Sequence, residues 1–147
     1  MDNFGEYKYL LGETILLYQL MESDLRWIFA GLSAGDVIKN KKEIDETSKG
    51  LGEMVRRLKE LDKPRKQHFF SLDAYDMLFT LARERNYFCH NCALEFAYIP
   101  HFEGSVEFKR AFVRLRQAHT AIVSIQRQTE QIRTQILKEK NKAAQGL

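Results

Sequence analysis

Residues 106–142 read VEFKRAFVRLRQAHTAIVSIQRQTEQIRTQILKEKNK and contain neither proline nor glycine. Apolar side chains recur in this stretch at steps of three and four residues, which places them on one face of a helix. The stripe consists of Phe108, Phe112, Leu115, His119, Ile122 and Ile125. The stretch therefore predicts one long amphipathic helix with a frayed basic tail from about residue 139. Such a helix needs other helices to cover its apolar face, which indicates an all-α bundle.

Three further helices and one ambiguous segment precede it. Apolar residues repeat with helical spacing from Phe4 to Leu32 and again from Leu51 to Leu61, and the second helix stops before Pro64. Ser71 is the expected N-cap of a helix that runs on to Ile99, where Pro100 closes it. The polar segment 39–49 fits either a short helix or a loop. Residues 1–147 are thus expected to form a single all-α domain, an antiparallel four- to five-helix bundle.

Composition narrows the class of protein further. The 147 residues are 44% hydrophobic and 29% charged, as in one globular domain. The sequence has no apolar run long enough to span a membrane and no secretory leader pattern, and with only Cys89 and Cys92 it has no disulfide framework. We therefore expect a cytoplasmic protein. The net charge is +3, and the charge is unevenly distributed along the chain. Residues 106–142 carry nine Lys or Arg against three acids.

The candidate site lies in residues 81–92, which read LARERNYFCHNC. Three Arg-to-His pairs in the chain are five to seven residues apart: Arg83/His90, Arg85/His90 and Arg114/His119. Spacing alone does not separate them. Requiring an asparagine directly after the arginine, with the histidine five residues on, leaves Arg85, Asn86 and His90, a pattern expected by chance about 0.01 times in such a chain.

These residue types suit RNA cleavage without a metal ion. A histidine exchanges a proton near neutral pH, and an arginine presents a planar fork of donors to phosphate oxygens. We therefore assign His90 as the acid or base, Arg85 as the donor to the phosphate and the transition state, and Asn86 as the group that orients His90 or the substrate. On a straight helix Arg83 and Asn86 share a face with His90, but Arg85 lies about 140° away and must reach around.

The motif from Arg85 to His90 resembles the Arg-polar-x-x-x-His signature of HEPN domains, which are small helical bundles that often act as metal-independent ribonucleases. Residues 50–58 are similar to the Leu-Gly segment that precedes the motif helix in that family, and the resemblance covers roughly residues 5–138. It implies an HEPN-like bundle without cofactor or metal, in which a homodimer cleft holds two copies of the motif, with Arg83 and Tyr87 binding substrate and Tyr87 and Cys92 at the margin.

The resemblance also implies a biological role, namely the toxin of a toxin–antitoxin or defence module with a separate antitoxin such as a nucleotidyltransferase. In relatives with that partner a tyrosine commonly stands two residues after the histidine, where this chain has Cys92. Control through that tyrosine is therefore not expected here.

Plainer interpretations stay open beside these. His90 also fits a hydrogen-bonded structural residue, and Arg83 and Arg85 fit a solvated face paired with Glu84 or with acids on a neighbouring helix. Cys89 and Cys92 fit buried structural thiols better than a redox or metal pair completed by His101. The alternative function is a non-catalytic, HEPN-like helical interaction module that binds a protein or RNA partner.

Overall fold

The computed structural model describes residues 3–146, and these residues form five α-helices with no strand. The helices are α1 (Asn3–Leu32), α2 (Val37–Thr47), α3 (Leu51–Asp62), α4 (Leu72–His90) and α5 (Val106–Ala144). Two short 3₁₀ turns, Cys92–Glu95 and Phe102–Gly104, connect α4 to α5. The all-α prediction is confirmed, and the ambiguous segment 39–49 is largely helical. None of the helices in the described chain is both long and apolar enough to cross a membrane.

Helices α1 and α2 pack side by side in opposite directions, and so do helices α3 and α4. Between α1 and α2, the Asn40 side chain donates to the Ala30 carbonyl at 3.1 Å, and Arg26 pairs with Asp45 at 3.1 Å. Residue numbers therefore rise on one helix as they fall on the other, as they do between α3 and α4. This part of the antiparallel prediction agrees with the structure.

The two longest helices, α1 and α5, run parallel to each other, which the antiparallel prediction did not foresee. Contacts between them keep a nearly constant offset along the chain. The contacts are Phe4 with Phe108, Glu13 with His119, Asp24 with Thr129, and Gly31 near Ile136. An odd number of alternating helices leaves its first and last members pointing the same way. The buried side chains of all five helices join in one core.

Two of the described helices, α4 and α5, begin at a serine that caps them. The Ser71 hydroxyl accepts a hydrogen bond from the Ala74 amide at 3.1 Å, which confirms the predicted N-cap of α4. The α3 helix ends at Asp62, two residues before Pro64, as expected. Ser105 caps α5 in the same way as Ser71 caps α4.

The prediction that α4 continues to Ile99 is wrong, because the helix ends at His90. Asn91 leaves the helix with φ −131° and ψ −17°, and the following turns bring Phe96 back into the core, where it is 1% exposed. The Phe96 ring lies 5.3 Å from Tyr7 and 5.0 Å from Phe108. Burying a phenyl ring contributes about 2–3 kcal/mol, more than the interrupted helix loses. The Arg85–His90 motif therefore lies at a helix end rather than in the middle of a helix.

The sequence predicts a frayed basic tail from about residue 139, and α5 extends through this segment in the structure. Helix α5 continues to Ala144. Lysine is a good helix former, and cations are favourable near the C-terminal end of a helix dipole. Ile136, which is buried near this end, packs over Gly31 of α1 so closely that a methyl group on Gly31 would lie within 2.4 Å of it. That packing fixes the start of the basic segment.

Candidate functional site

Helix α4 separates its residues into a buried stripe and an exposed face. The buried stripe consists of Tyr75, Leu78, Leu81, Ala82 and Phe88. Arg83, Asn86 and His90 are exposed and lie on another side of the helix. Helical spacing predicts that these three share a face, and their exposure agrees with that prediction.

The backbone position of Arg85 lies on the core side of α4. It lies three residues after Ala82 and seven after Leu78, in line with the buried stripe, and it is half-buried. Its Nη1 atom donates to Oδ1 of Asn86 at 3.3 Å. Since Asn86 lies one helical turn before His90, the Arg85 side chain reaches toward the exposed face. The helix stays regular through His90, and the contact that the Arg85 side chain makes on this face is with Asn86.

The exposed face carries cations without carboxylate partners. Across residues 3–146, no acid lies within ion-pair distance of Arg83, Arg85 or His90, and the His90 ring makes no hydrogen bond. Arg83 donates only to the Thr80 hydroxyl, at 3.2 Å. The structure therefore does not show His90 as a hydrogen-bonded structural residue. It also does not show Arg83 and Arg85 as a face paired with acids. We name Arg83, Arg85, Asn86 and His90 the acid-free cluster.

A second cluster lies between α4 and α5, and its charged side chains pair with one another. Arg114 donates to Glu84 through Nε at 3.0 Å and Nη2 at 2.7 Å, and Glu95 lies 4.0 Å away. The ring centre of Tyr87 lies 3.4 Å from the Arg114 guanidinium carbon. The hydrogen bond to Glu84 raises the pKa of Arg114, although partial burial opposes the rise. We name Glu84, Tyr87, Glu95 and Arg114 the paired cluster; sequence analysis missed it, because Glu84 and Arg114 are 30 positions apart.

Tyr87 therefore belongs to packing rather than to the exposed face. Its hydroxyl is buried and finds no hydrogen-bond partner in the described residues. Burial raises the pKa of Tyr87 above its ordinary value, and the nearby Glu95 carboxylate raises it further, so the hydroxyl stays protonated. The predicted contact of Tyr87 with substrate stays a prediction, and the closed position of its hydroxyl does not favour it.

The two cysteines differ in exposure. Cys92 is buried and donates to the Phe88 carbonyl at 3.3 Å, as expected of a structural thiol, whereas Cys89 is exposed, contrary to expectation. Cys92 therefore lies inside the core rather than at the margin of the exposed face. Within residues 3–146, no three His, Cys, Asp or Glu side chains come together as a metal-ligand group. A metal site built on the cysteine pair therefore has no ligand set here.

The structure thus defines an all-helical protein with an exposed Arg–Asn–His cluster at a helix end. Comparison with protein-family models, with curated proteins and with solved structures found no match in any of the three. The HEPN resemblance consequently depends on residues 50–58 and 85–90 of this chain and stays a prediction.

Proposed function

We propose that the protein is a metal-independent RNA endonuclease of the HEPN type that acts as a homodimer. The observation that carries this proposal is the acid-free cluster, in which Arg85 is hydrogen-bonded to Asn86 beside an exposed His90. A guanidinium that has no internal carboxylate partner keeps its donors available to a phosphate group. The same arginine in a salt bridge would have to give up its partner first.

Each residue has a defined part in the reaction. His90 takes the proton from the ribose 2′-hydroxyl, whose oxygen attacks the adjacent phosphorus. Arg85 stabilises the charge that builds up on the phosphate oxygens, held in place by Asn86. The bond from phosphorus to the 5′-oxygen then breaks, and that oxygen takes a proton. The products are a 2′,3′-cyclic phosphate and a 5′-hydroxyl, with no change of oxidation state. Arg83 binds a neighbouring phosphate.

The reaction needs both a base and an acid, and one protomer offers a single His90. A twofold axis near the end of α4 supplies a second copy, so that one histidine accepts a proton while the other donates one. The turns after α4 expose Leu94 and Tyr98, which are 61% and 86% accessible in the single chain. Apolar side chains so close to His90 in sequence support contact between two copies there.

The biological role follows from the resemblance alone. We propose a toxin of a toxin–antitoxin or defence module that acts on cytoplasmic RNA. Its antitoxin is then a separate protein, such as a nucleotidyltransferase, and its target would not be Cys92, which is buried.

Replacing one histidine tests the proposal. The parent protein, His90→Ala and the control His101→Asn are incubated with RNA in excess EDTA. Loss of a positioned acid–base group is expected to slow cleavage by about 10²–10⁴-fold. The control removes an exposed histidine whose φ of 53° asparagine tolerates, and it should cleave like the parent. Circular dichroism and sedimentation check that folding and association persist.

Three results would contradict the proposal. They are the absence of cleavage by the parent on any RNA, cleavage that EDTA abolishes, and an unchanged rate for His90→Ala. Analysis of the product ends adds a chemical check, because a 5′-phosphate product would require a different nucleophile from the 2′-hydroxyl.

A non-catalytic interaction module is the second candidate, and one feature favours it. Tyr9, Leu16 and Leu20 are each more than half exposed and lie on the outer face of α1. Exposed apolar side chains on one helix face are typical of a protein-binding surface. If the parent does not cleave RNA, and Leu16→Glu with Leu20→Glu dissociates an oligomer that the parent forms, this second function is favoured.

A further inference from the structure

Two basic segments that are distant in sequence meet at the end of the bundle opposite His90. Residues 63–68, in the loop between α3 and α4, read KPRKQH, and residues 138–142 of α5 read KEKNK. Both segments contribute residues to one cleft of about 330 Å³. Of their cations, Arg65 and Lys140 line the cleft, and the others flank these two along the chain. The cleft is lined by Arg65 and Phe69 from the loop, Gly31 and Leu32 from α1, and Ile136, Glu139, Lys140 and Ala143 from α5. The charge pattern of the sequence indicates only the α5 part of this surface.

A buried carboxylate holds the loop in a fixed shape. Asp62, which is fully buried, accepts hydrogen bonds from the Phe69 amide at 3.0 Å and from the Tyr75 hydroxyl at 2.8 Å. The Asp62 carbonyl bonds to the His68 ring at 2.9 Å. The cations of the loop therefore stand on an ordered backbone, so that binding does not have to order it.

Most cations of this surface have no acidic partner. Arg65 lies 3.7 Å from the buried Asp62 carboxylate, but the exposed lysines of both segments form no ion pair with another residue of the described chain. These lysines are Lys63, Lys66, Lys138, Lys140 and Lys142. Glu139 is the one acid that the two segments contribute. We name the five lysines and Arg65 the basic end. Converging positive charges reinforce one another within a Debye length of about 8 Å at physiological salt.

The cleft also offers an apolar wall beside the cations. The Arg65 guanidinium carbon lies 4.5 Å from the ring centre of the half-buried Phe69. Phe69 and Leu32 line the same cleft as the unpaired Lys140, so they offer an apolar surface to the base of a nucleotide whose phosphate Lys140 binds. Positive charge along a groove together with an aromatic ring is how proteins bind single strands without sequence preference.

We propose that the basic end binds the phosphate backbone of single-stranded RNA. The identity of the nucleic acid rests on the proposed function, whereas the binding surface does not depend on catalysis. Helix α4 has 19 residues, so the basic end lies about 28 Å from His90 at 1.5 Å per residue. The basic end therefore holds the strand at a distance from the cleavage site and favours substrates with single-stranded flanks.

The test measures RNA binding while cleavage is blocked. In a His90→Ala background, Lys63, Lys66 and Lys140 are all changed to glutamine. The matched control changes Lys39, Lys42 and Lys49, which are also exposed, have no ion-pair partner in the described chain and lie around α2. Both variants lose three positive charges. The probe is a labelled single-stranded oligouridylate, and affinity is measured across a range of salt concentrations.

Counterion release gives the expected size of the effect. Each lost phosphate contact lowers the slope of log affinity against log salt by about 0.7, so three contacts lower it by about 2. At 0.1 M salt this equals a loss of affinity of about 100-fold. The control is expected to keep the parent slope. Phe69→Leu should weaken binding with the slope unchanged, since it removes stacking and no charge.

Other outcomes overturn the inference. Equal losses in the two triple variants would mean that net charge alone drives binding. Binding to phosphatidylserine vesicles in preference to RNA would assign the basic end to an anionic lipid surface. Failure of the parent to cleave RNA would overturn the proposed function, whereas failure of the basic-end variant to lose binding would overturn this inference, and the two assays are separate.

Discussion

The acid-free cluster and the α4 residues of the paired cluster come from one eight-residue stretch of α4, residues 83–90, and the two clusters have opposite electrostatics. In the paired cluster, Arg114 is held by two carboxylates and an aromatic ring. In the acid-free cluster, Arg85 has one neutral hydrogen-bond partner, Asn86, and His90 has none in the described chain. Glu84 and Tyr87 lie on the side of α4 that contacts Arg114 of α5. Arg83, Asn86 and His90 lie on the exposed side.

The comparison shows how to separate structural cations from available ones. A protein stabilises an arginine at an interface by giving it an acid, and that acid then blocks anionic ligands. Arg85 starts from a core-facing position, where an unpaired guanidinium adds nothing to packing. The absence of a carboxylate partner within the described residues leaves its donors available, which favours a role in binding phosphate.

The largest expected effect is on catalysis. Arg85→Ala should slow RNA cleavage by about 10²–10³-fold, since it removes an electrostatic donor to the transition state. Arg85→Lys should restore only part of the rate, because lysine lacks the planar fork. Arg114→Ala serves as the matched control and should keep the parent rate. Equal losses for Arg85→Ala and Arg114→Ala would remove the distinction between the clusters.

A carboxylate introduced into the acid-free cluster should pair with Arg85, as Glu84 pairs with Arg114 in the paired cluster. Asn86→Asp places a carboxylate beside Arg85 and should slow cleavage by about 10–100-fold, because phosphate then competes with an internal anion. The melting temperature should stay level or rise slightly. Rates are measured under single-turnover conditions, with Asn91→Asp as a control outside the cluster. A faster Asn86→Asp enzyme would contradict the account.

For folding stability we expect Arg114 to matter more than Arg85, the reverse of their expected order for catalysis. Arg114→Ala is expected to cost about 1–2 kcal/mol, because it leaves Glu84 without its partner and uncovers Tyr87. For a chain of this size the melting temperature should fall by about 2–8 °C. Arg85→Ala should change the free energy of unfolding by less than about 0.5 kcal/mol. A larger loss for Arg85→Ala than for Arg114→Ala would mean that Arg85 is structural.

The smallest expected effect concerns Asp24, which is paired but buried. Burial raises the pKa of Asp24, although Thr129 at 2.9 Å and Arg133 at 2.8 Å oppose the rise. When the pKa of a carboxyl group is higher in the folded than in the unfolded state, the folded protein binds the proton more tightly. The free energy of unfolding therefore falls as the pH rises from the unfolded-state pKa to the folded-state pKa. Asp24→Asn lacks this titrating group. Its free energy of unfolding should therefore increase relative to that of the parent as the pH rises. Denaturant titrations at several pH values measure the difference, and a gain with falling pH would contradict the prediction.

Much of the fold was accessible from local sequence. Apolar spacing marks α1 and α5, Ser71 caps α4, and Pro64 limits α3, because each signal lies within a few residues of the feature it determines. The shared face of Asn86 and His90 also follows from helical spacing alone.

Features that depend on distant residues were not accessible. The end of α4 at His90 depends on Phe96 packing against Tyr7 and Phe108, and the paired cluster depends on Arg114 reaching α4 from α5. The parallel contact of α1 and α5 likewise arises only when all helices are assembled. No local pattern carries these relations, since each joins segments that are well separated in sequence.

The central claim is that Arg85 and His90 act together on one phosphate. The most direct measurement is the single-turnover rate of RNA cleavage in EDTA for the parent, Arg85→Ala, His90→Ala and the double variant. Residues that serve one transition state give non-additive losses, so the double variant should be hardly slower than His90→Ala alone. A double variant whose loss is the full product of the single losses, or a parent that leaves RNA intact, would contradict the claim.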